Sequence, residues 1–165
     1  DNHDKNSWEG NQYTNFGKGL ETCMVMCTMV NGMPLVYSGQ EAGLDRSLKF
    51  FDKDEIVWKD HPNTALYTKL FALKHKNHAL WNGDNGGTMM RIYNDKMDKI
   101  ISFSREKEND KVIPILNFSN EEVTVKLDSK YEKGDYTNYF TATKVILKGD
   151  DVITLKPWEY LILVK

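Results

Sequence analysis

Val123-Thr124-Val125-Lys126-Leu127-Asp128 sets apolar and polar side chains in strict alternation. That period of two marks a strand with one buried face, because successive side chains on an extended backbone point to opposite sides. The same period governs the neighbouring stretches. Ile113 and Ile115 mark a strand before it, and Trp158, Tyr160, Ile162 and Val164 mark the strand that closes the chain. Turn chemistry separates them at Asn94-Asp95, Ser119-Asn120, Lys133-Gly134-Asp135 and Gly149-Asp150. Roughly seven short strands at this spacing predict an antiparallel β-sandwich. It occupies residues 85–165, long enough for a small core of its own.

Upstream of Gly83–Gly87 the pattern changes from strand-like to helical. Asn2–Gly19 is polar and rich in Gly and Asn, which predicts a loop. Leu20–Val30 is apolar and is followed by Asn31-Gly32 and Pro34, the stop signals of a buried helix. A core strand is the alternative for that run, and its flanks fit less well. Leu35–Ser38 lies between Pro34 and Gly39 and predicts a short buried strand. Glu41–Asp60 is an irregular, charged connection. Asn63 then caps a helix in which Leu66, Leu70 and Leu73 share one face, with Lys74, His75 and Lys76 near its negative end. Residues 1–84 therefore have the order of an alternating α/β tail, and the whole chain is α+β.

Composition bounds the function. Hydrophobic residues make up 40% and charged residues 28% of the 165, as in globular proteins. The net charge is −2 with the basic residues scattered among acids, so no basic stripe attracts nucleic acid. The longest apolar run, Cys23–Val30, is too short to span a membrane. Cys23 and Cys27, four apart, are expected to be buried free thiols, and they leave the redox compartment open. The chain opens at Asp1 without a start Met or signal-like segment, so a fragment of a longer protein is expected.

Three local patterns carry chemistry: Asn2-His3-Asp4 with Trp8 just beyond, Gly32-Met33-Pro34 leading to Gly39-Gln40-Glu41, and the closing Pro157-Trp158-Glu159-Tyr160. Asn-His-Asp by itself is equally a capping and turn cluster. In this order, however, the patterns resemble the α-amylase family of glycoside hydrolases. Asn2-His3-Asp4 is similar to the family's Asn-His-Asp at the end of the seventh barrel strand, and Gly32–Glu41 to its eighth-strand signature. Leu48–Trp58, with Phe50-Phe51, resembles the connection that follows in bacterial members, and the β region resembles the domain that caps the barrel.

The resemblance implies residues 1–84 as the incomplete tail of a (β/α)8 barrel, its last strand and two helices, and residues 85–165 as the C-terminal all-β domain. It implies a parent that cleaves or transfers α-glucosidic bonds of starch or malto-oligosaccharides with retention. An Asp on the fourth strand and a Glu on the fifth carry the bond-breaking there, and both lie outside this chain. Asp4 takes the part of the third carboxylate, the transition-state stabiliser. His3 donates to the same sugar, Asn2 fixes the loop, Trp8 stacks on a sugar face or anchors the loop, and Gln40 and Glu41 support the site from behind. Retaining chemistry needs two carboxyl groups roughly 5 Å apart, so Asp4 alone implies an inactive fragment.

No cofactor and no metal site is expected. His75 and His78 lack further ligands, and the family's calcium sites mostly belong to upstream loops. Trp81 and Trp158 are read as packing residues. Specificity loops lie outside the chain, which leaves transglycosylase and sucrose- or trehalose-handling parents as alternatives. A non-catalytic carbohydrate-binding module is another, with Tyr131, Tyr136 and Tyr139 as its candidate aromatic row, as is a purely structural sandwich. The exposed edge of a lone barrel strand implies self-association. The compartment stays open, with a periplasmic or extracellular parent compatible.

Overall fold

The computed structural model describes residues 1–165. Helices α1 (His3–Trp8), α2 (Gln12–Phe16), α3 (Leu20–Met29) and α4 (Pro62–Lys76) precede eight strands. These are β1 (Thr88–Arg91), β2 (Ile100–Lys107), β3 (Asp110–Asn117), β4 (Val123–Leu127), β5 (Gly134–Asn138), β6 (Lys144–Leu147), β7 (Asp151–Leu155) and β8 (Tyr160–Val164). Six strands form one sheet in the order β1-β2-β3-β8-β5-β6, and β4 pairs with β7 in a second. Every pair is antiparallel.

The alternation of β4 has the expected consequence. Val123, Val125 and Leu127 are buried while Thr124 and Lys126 are exposed. They meet Ile113 and Ile115 of β3 and Leu163 of β8 in the sandwich core. The alternate residues of the central strands, Val112, Leu116 and Ile162, face the other way with Phe103. There they pack against Val25 and Met29 of α3 and Leu70 and Leu73 of α4. The large sheet is thus covered on both faces, by a small sheet and by helices. Each fully buried Val, Leu, Ile or Met side chain contributes about 1.5–3 kcal/mol. Pro114 sits inside β3 despite having no N–H. The β2–β3 ladder is interrupted there, between the Ser102–Ile115 and Arg105–Val112 pairs.

One charged side chain joins the layers. Arg105 of β2 follows Phe103 on the helix-facing side and is fully buried. Its Nε donates to Gly87 O at 3.0 Å, and Nη1 to Met29 O at 3.2 Å and Val30 O at 3.1 Å. Nη2 donates to Trp81 O at 2.7 Å. The guanidinium therefore caps the C-terminal end of α3, where carbonyls lack intrahelical partners and the dipole is negative. Burial pushes its pKa below the usual arginine value, which is so high that the charge persists at neutral pH.

Several expectations are corrected. Asn2–Gly19 is not a loop but α1, α2 and a 3₁₀ turn at Gly17–Gly19, because Asn2 and Asn11 each cap a helix start. Leu35–Ser38 is not a strand: the segment pairs with nothing and Leu35 is 64% exposed. A parallel strand needs neighbours to accept its hydrogen bonds, and none lies beside it. His61, not Asn63, caps α4, its Nδ1 accepting from Asn63 N at 3.2 Å. The two thiols are free but not buried, Cys23 being half-buried and Cys27 exposed. Trp158 stands outside β8, in a turn at φ 60°. It packs on Gly19, where an added Cβ would lie 2.9 Å from its ring. The tyrosine row dissolves, since Tyr136 is buried, Tyr139 half-buried and Tyr131 exposed by itself.

Candidate functional site

The Asn2-His3-Asp4 triplet opens α1. Asn2 Oδ1 accepts from Lys5 N at 2.9 Å, so its side chain caps the helix. Asp4 then falls in the first turn, where the helix dipole favours a carboxylate. His3 Nε2 lies 3.4 Å from Asp4 Oδ2, and both side chains are more than half exposed. One turn on, Asn6 is buried and its Oδ1 accepts from Leu48 N at 2.6 Å. Ser7 Oγ donates to Leu48 O at 2.8 Å. These two bonds tie α1 to the connection after Leu44.

That tie brings aromatic rings together. Phe50 lies 5.7 Å from the His3 ring and 5.4 Å from Trp8, and Phe51 packs edge-on against Phe50 at 4.8 Å. A shallow depression of about 360 Å³ lies among Ser7, Trp8, Leu48, Phe50, Phe51 and Asp52. The connection is held in shape by Arg46, whose two terminal nitrogens donate to Asp54 at 2.7 and 2.9 Å. The guanidinium beside it, with the Lys49 N–H, holds the Asp54 carboxyl well below the usual carboxylate range.

Gln40 and Glu41 do not join this surface. Gln40 Oε1 accepts from Tyr37 N at 2.7 Å and its Nε2 donates to Gln12 at 3.2 Å. Glu41 Oε2 accepts from Gly39 N at 2.9 Å. Asn63 Nδ2 donates to Gln40 O and Thr64 Oγ1 to Glu41 O, both at 2.8 Å. The pair thus locks a turn between α2 and the start of α4, and neither side chain bonds to Asn2, His3 or Asp4. The contact of Phe50 with His3 and Trp8 escaped the sequence because the intervening connection has no periodicity. Nothing local reveals such a contact.

Chemically the surface offers an open carboxylate, an imidazole and a Trp–Phe wall. It suits a ligand with hydroxyl donors and an apolar ring face. The depression itself is lined by the Asp52 carboxylate and not by Asp4. His78 pairs with Glu108 at 2.8 Å, and no cluster of three His, Cys, Asp or Glu side chains is in place to hold a metal ion.

The fold is an antiparallel sandwich whose large sheet carries helices on its outer face. Residues 90–162 match the family of maltogenic amylase C-terminal domains. That match spans most of the β domain and under half of the chain, and it is a likeness to those C-terminal domains. Alpha-amylase MalA of Haloarcula japonica is 30% identical over 100 residues, covering 58% of this chain and 14% of that protein. Among solved structures, a maltogenic α-amylase, AmyB, from Thermotoga neapolitana superposes with a TM-score of 0.79 at 24% identity. That match covers 99% of this chain and 39% of the other. A cyclomaltodextrinase superposes with a TM-score of 0.81 at 18% identity, over 99% of this chain and 28% of its own. The chain therefore spans well under half of the relatives it matches. No helix is long and apolar enough to cross a membrane.

Proposed function

We propose that this chain is the closing portion of a retaining α-glycosidase of the α-amylase type, whose parent acts on starch-like α-glucans and malto-oligosaccharides. Residues 1–84 are the tail of its catalytic barrel and residues 85–165 its C-terminal domain. Asp4 binds sugar hydroxyls and stabilises the oxocarbenium-like transition state, His3 donates to the same sugar, and Trp8 offers a stacking face. Asn2 presents the triplet by capping α1. Gln40 and Glu41 act at a distance, holding the turn between α2 and α4.

The observation that supports this reading is the joining of Asp4, His3, Trp8 and Phe50 on one exposed surface, through bonds from Asn6 and Ser7 to Leu48. Hydroxyl hydrogen bonds that tighten as positive charge develops lower the barrier by several kcal/mol. With one carboxylate and no acid/base partner, the chain itself is expected not to hydrolyse glycosides. The exposed apolar residues Met33, Leu35, Val57 and Trp58 are the surface that upstream barrel strands cover in the parent. In the isolated chain that surface drives self-association, which a concentration series of solution mass reads directly.

The deciding experiment is Asp4→Asn in the full-length parent. Turnover falls by roughly 10²–10³-fold, the equivalent of about 3–4 kcal/mol, with the melting temperature nearly unchanged. Turnover close to the parent's would remove Asp4 from the chemistry.

A further inference from the structure

Three Asn-Gly pairs occur in the chain: Asn31-Gly32, Asn82-Gly83 and Asn85-Gly86. The pair is chemically vulnerable. The glycine nitrogen can close a five-membered ring on the asparagine side-chain carbonyl carbon, and no Cβ on the glycine hinders the approach. Closure requires a carboxamide free to turn, an unengaged N–H on the glycine, and a peptide between them that rotates. By sequence the three pairs are equivalent, and the fold separates them.

Asn82 is half-buried and its Oδ1 is covered, so its carboxamide has no room to swing towards Gly83. Asn85 is exposed, but it ends a 3₁₀ turn in which Gly86 N donates to Gly83 O at 3.2 Å. Gly86 is also pressed on the Trp81 carbonyl, where an added Cβ would lie 1.8 Å from the oxygen. Gly87 N donates to Ala79 O at 3.0 Å and fixes the chain beyond it. Freeing Gly86 N for attack costs one hydrogen bond, which lowers the reactive population by roughly 2–12-fold.

Asn31 escapes these restraints. It lies just past the end of α3, and both it and Gly32 are exposed. The helix is anchored one residue earlier, where Val30 N donates to Met26 O at 3.1 Å and Val30 O accepts from Arg105. Gly32 N donates to no backbone carbonyl. Gly32 has φ +111°, with open space where a Cβ would stand, so no neighbour resists rotation of the peptide.

We propose that Asn31-Gly32 is a site of spontaneous deamidation, at which the folded chain converts Asn31 to isoaspartate and aspartate ahead of Asn82 and Asn85. Gly32 N gives its proton to a solvent base and attacks Asn31 Cγ. The N–C bond forms, the Cγ–Nδ2 bond breaks, and the amide nitrogen takes a proton from solvent and leaves as ammonia. Water then opens the succinimide at either carbonyl, which leaves one new carboxylate. No step depends on a bound sugar or on the parent's activity.

Peptide mapping by mass spectrometry, after incubation of the folded chain in mildly alkaline buffer, reads the order of conversion. The mass gain of NH2 replaced by OH is expected first in the Asn31 peptide. The Asn85 peptide follows roughly 2–12-fold more slowly, and the Asn82 peptide last. The same incubation in guanidinium chloride is expected to bring the three rates together, because unfolding removes what distinguishes the sites. Asn31→Ser abolishes the first product and leaves the other two rates unchanged. Circular dichroism checks the fold of that variant, and the map of the unaltered chain identifies the site even if the variant does not fold. Conversion of Asn82 or Asn85 first in the folded chain, or an intact Asn31 in folded chain while the unfolded chain loses it, would overturn the proposal.

Discussion

Replacing Arg105 with Met removes the one charge that joins helices, turn and sheet. The guanidinium is fully buried and donates to four carbonyls, of Gly87, Met29, Val30 and Trp81. Its bonds to Gly87 and Met29 are the ones fully shielded from water. A buried acceptor left without a partner costs about 1–3 kcal/mol, so these two alone amount to about 2–6 kcal/mol. The other two carbonyls sit nearer the surface and recover water. Against this, Met regains apolar packing and the cost of burying a cation disappears. A net loss of about 1–4 kcal/mol follows, against a total of about 5–15 kcal/mol for a domain. At about 2–4 °C per kcal/mol for this length, the melting temperature drops by roughly 2–16 °C. Arg105→Lys keeps the charge but cannot reach all four carbonyls from one nitrogen, and it is expected to fall between. Urea unfolding followed by near-UV circular dichroism measures both. A Met variant within about 0.5 kcal/mol of the original would refute the reasoning, because it would mean that the carbonyls find other donors.

Three further outcomes are expected. Asn117 is fully buried and its Nδ2 donates to Glu121 O and Lys156 O, both at 2.8 Å. Asn117→Leu therefore destabilises by about 2–4 kcal/mol in chemical denaturation, while Asn117→Asp, which keeps only the acceptor, does no better. Gly43 adopts φ +70°, and a Cβ there would come 2.3 Å from the His61 ring that caps α4. Gly43→Ala is expected to cost about 1–3 kcal/mol, read as a lower melting temperature. Burial, with lesser effects from nearby acidic groups, pushes the Tyr67 hydroxyl up to about 12. The neutral form is favoured in the folded chain, so this contribution is complete below the ordinary tyrosine value near 10 and is lost as pH rises from there through 12. Tyr67→Phe should flatten the alkaline decline between those limits, and an unaltered curve would count against the assignment.

Residues 123–127 were legible because a two-stranded sheet buries one face, so local alternation records the tertiary environment. Leu20–Val30 was legible as a helix for a similar reason, the apolar run ending at Gly and Pro. The central strands were less so. β3 is buried on both faces, which erases alternation, and so nothing in Arg105's neighbourhood tells that its side chain turns inward to four carbonyls. Leu35–Ser38 read as a strand because its composition is that of one, yet strand identity is a property of the neighbours that accept its hydrogen bonds. At the candidate site, the chain order of Asn-His-Asp and Gly-Gln-Glu was visible in the sequence. Only the fold set Phe50 beside His3 and Trp8 while sending Gln40 and Glu41 into a separate turn. Periodicity reports which side of an element is buried; which elements meet depends on contacts distant in the chain, and no local window encodes those.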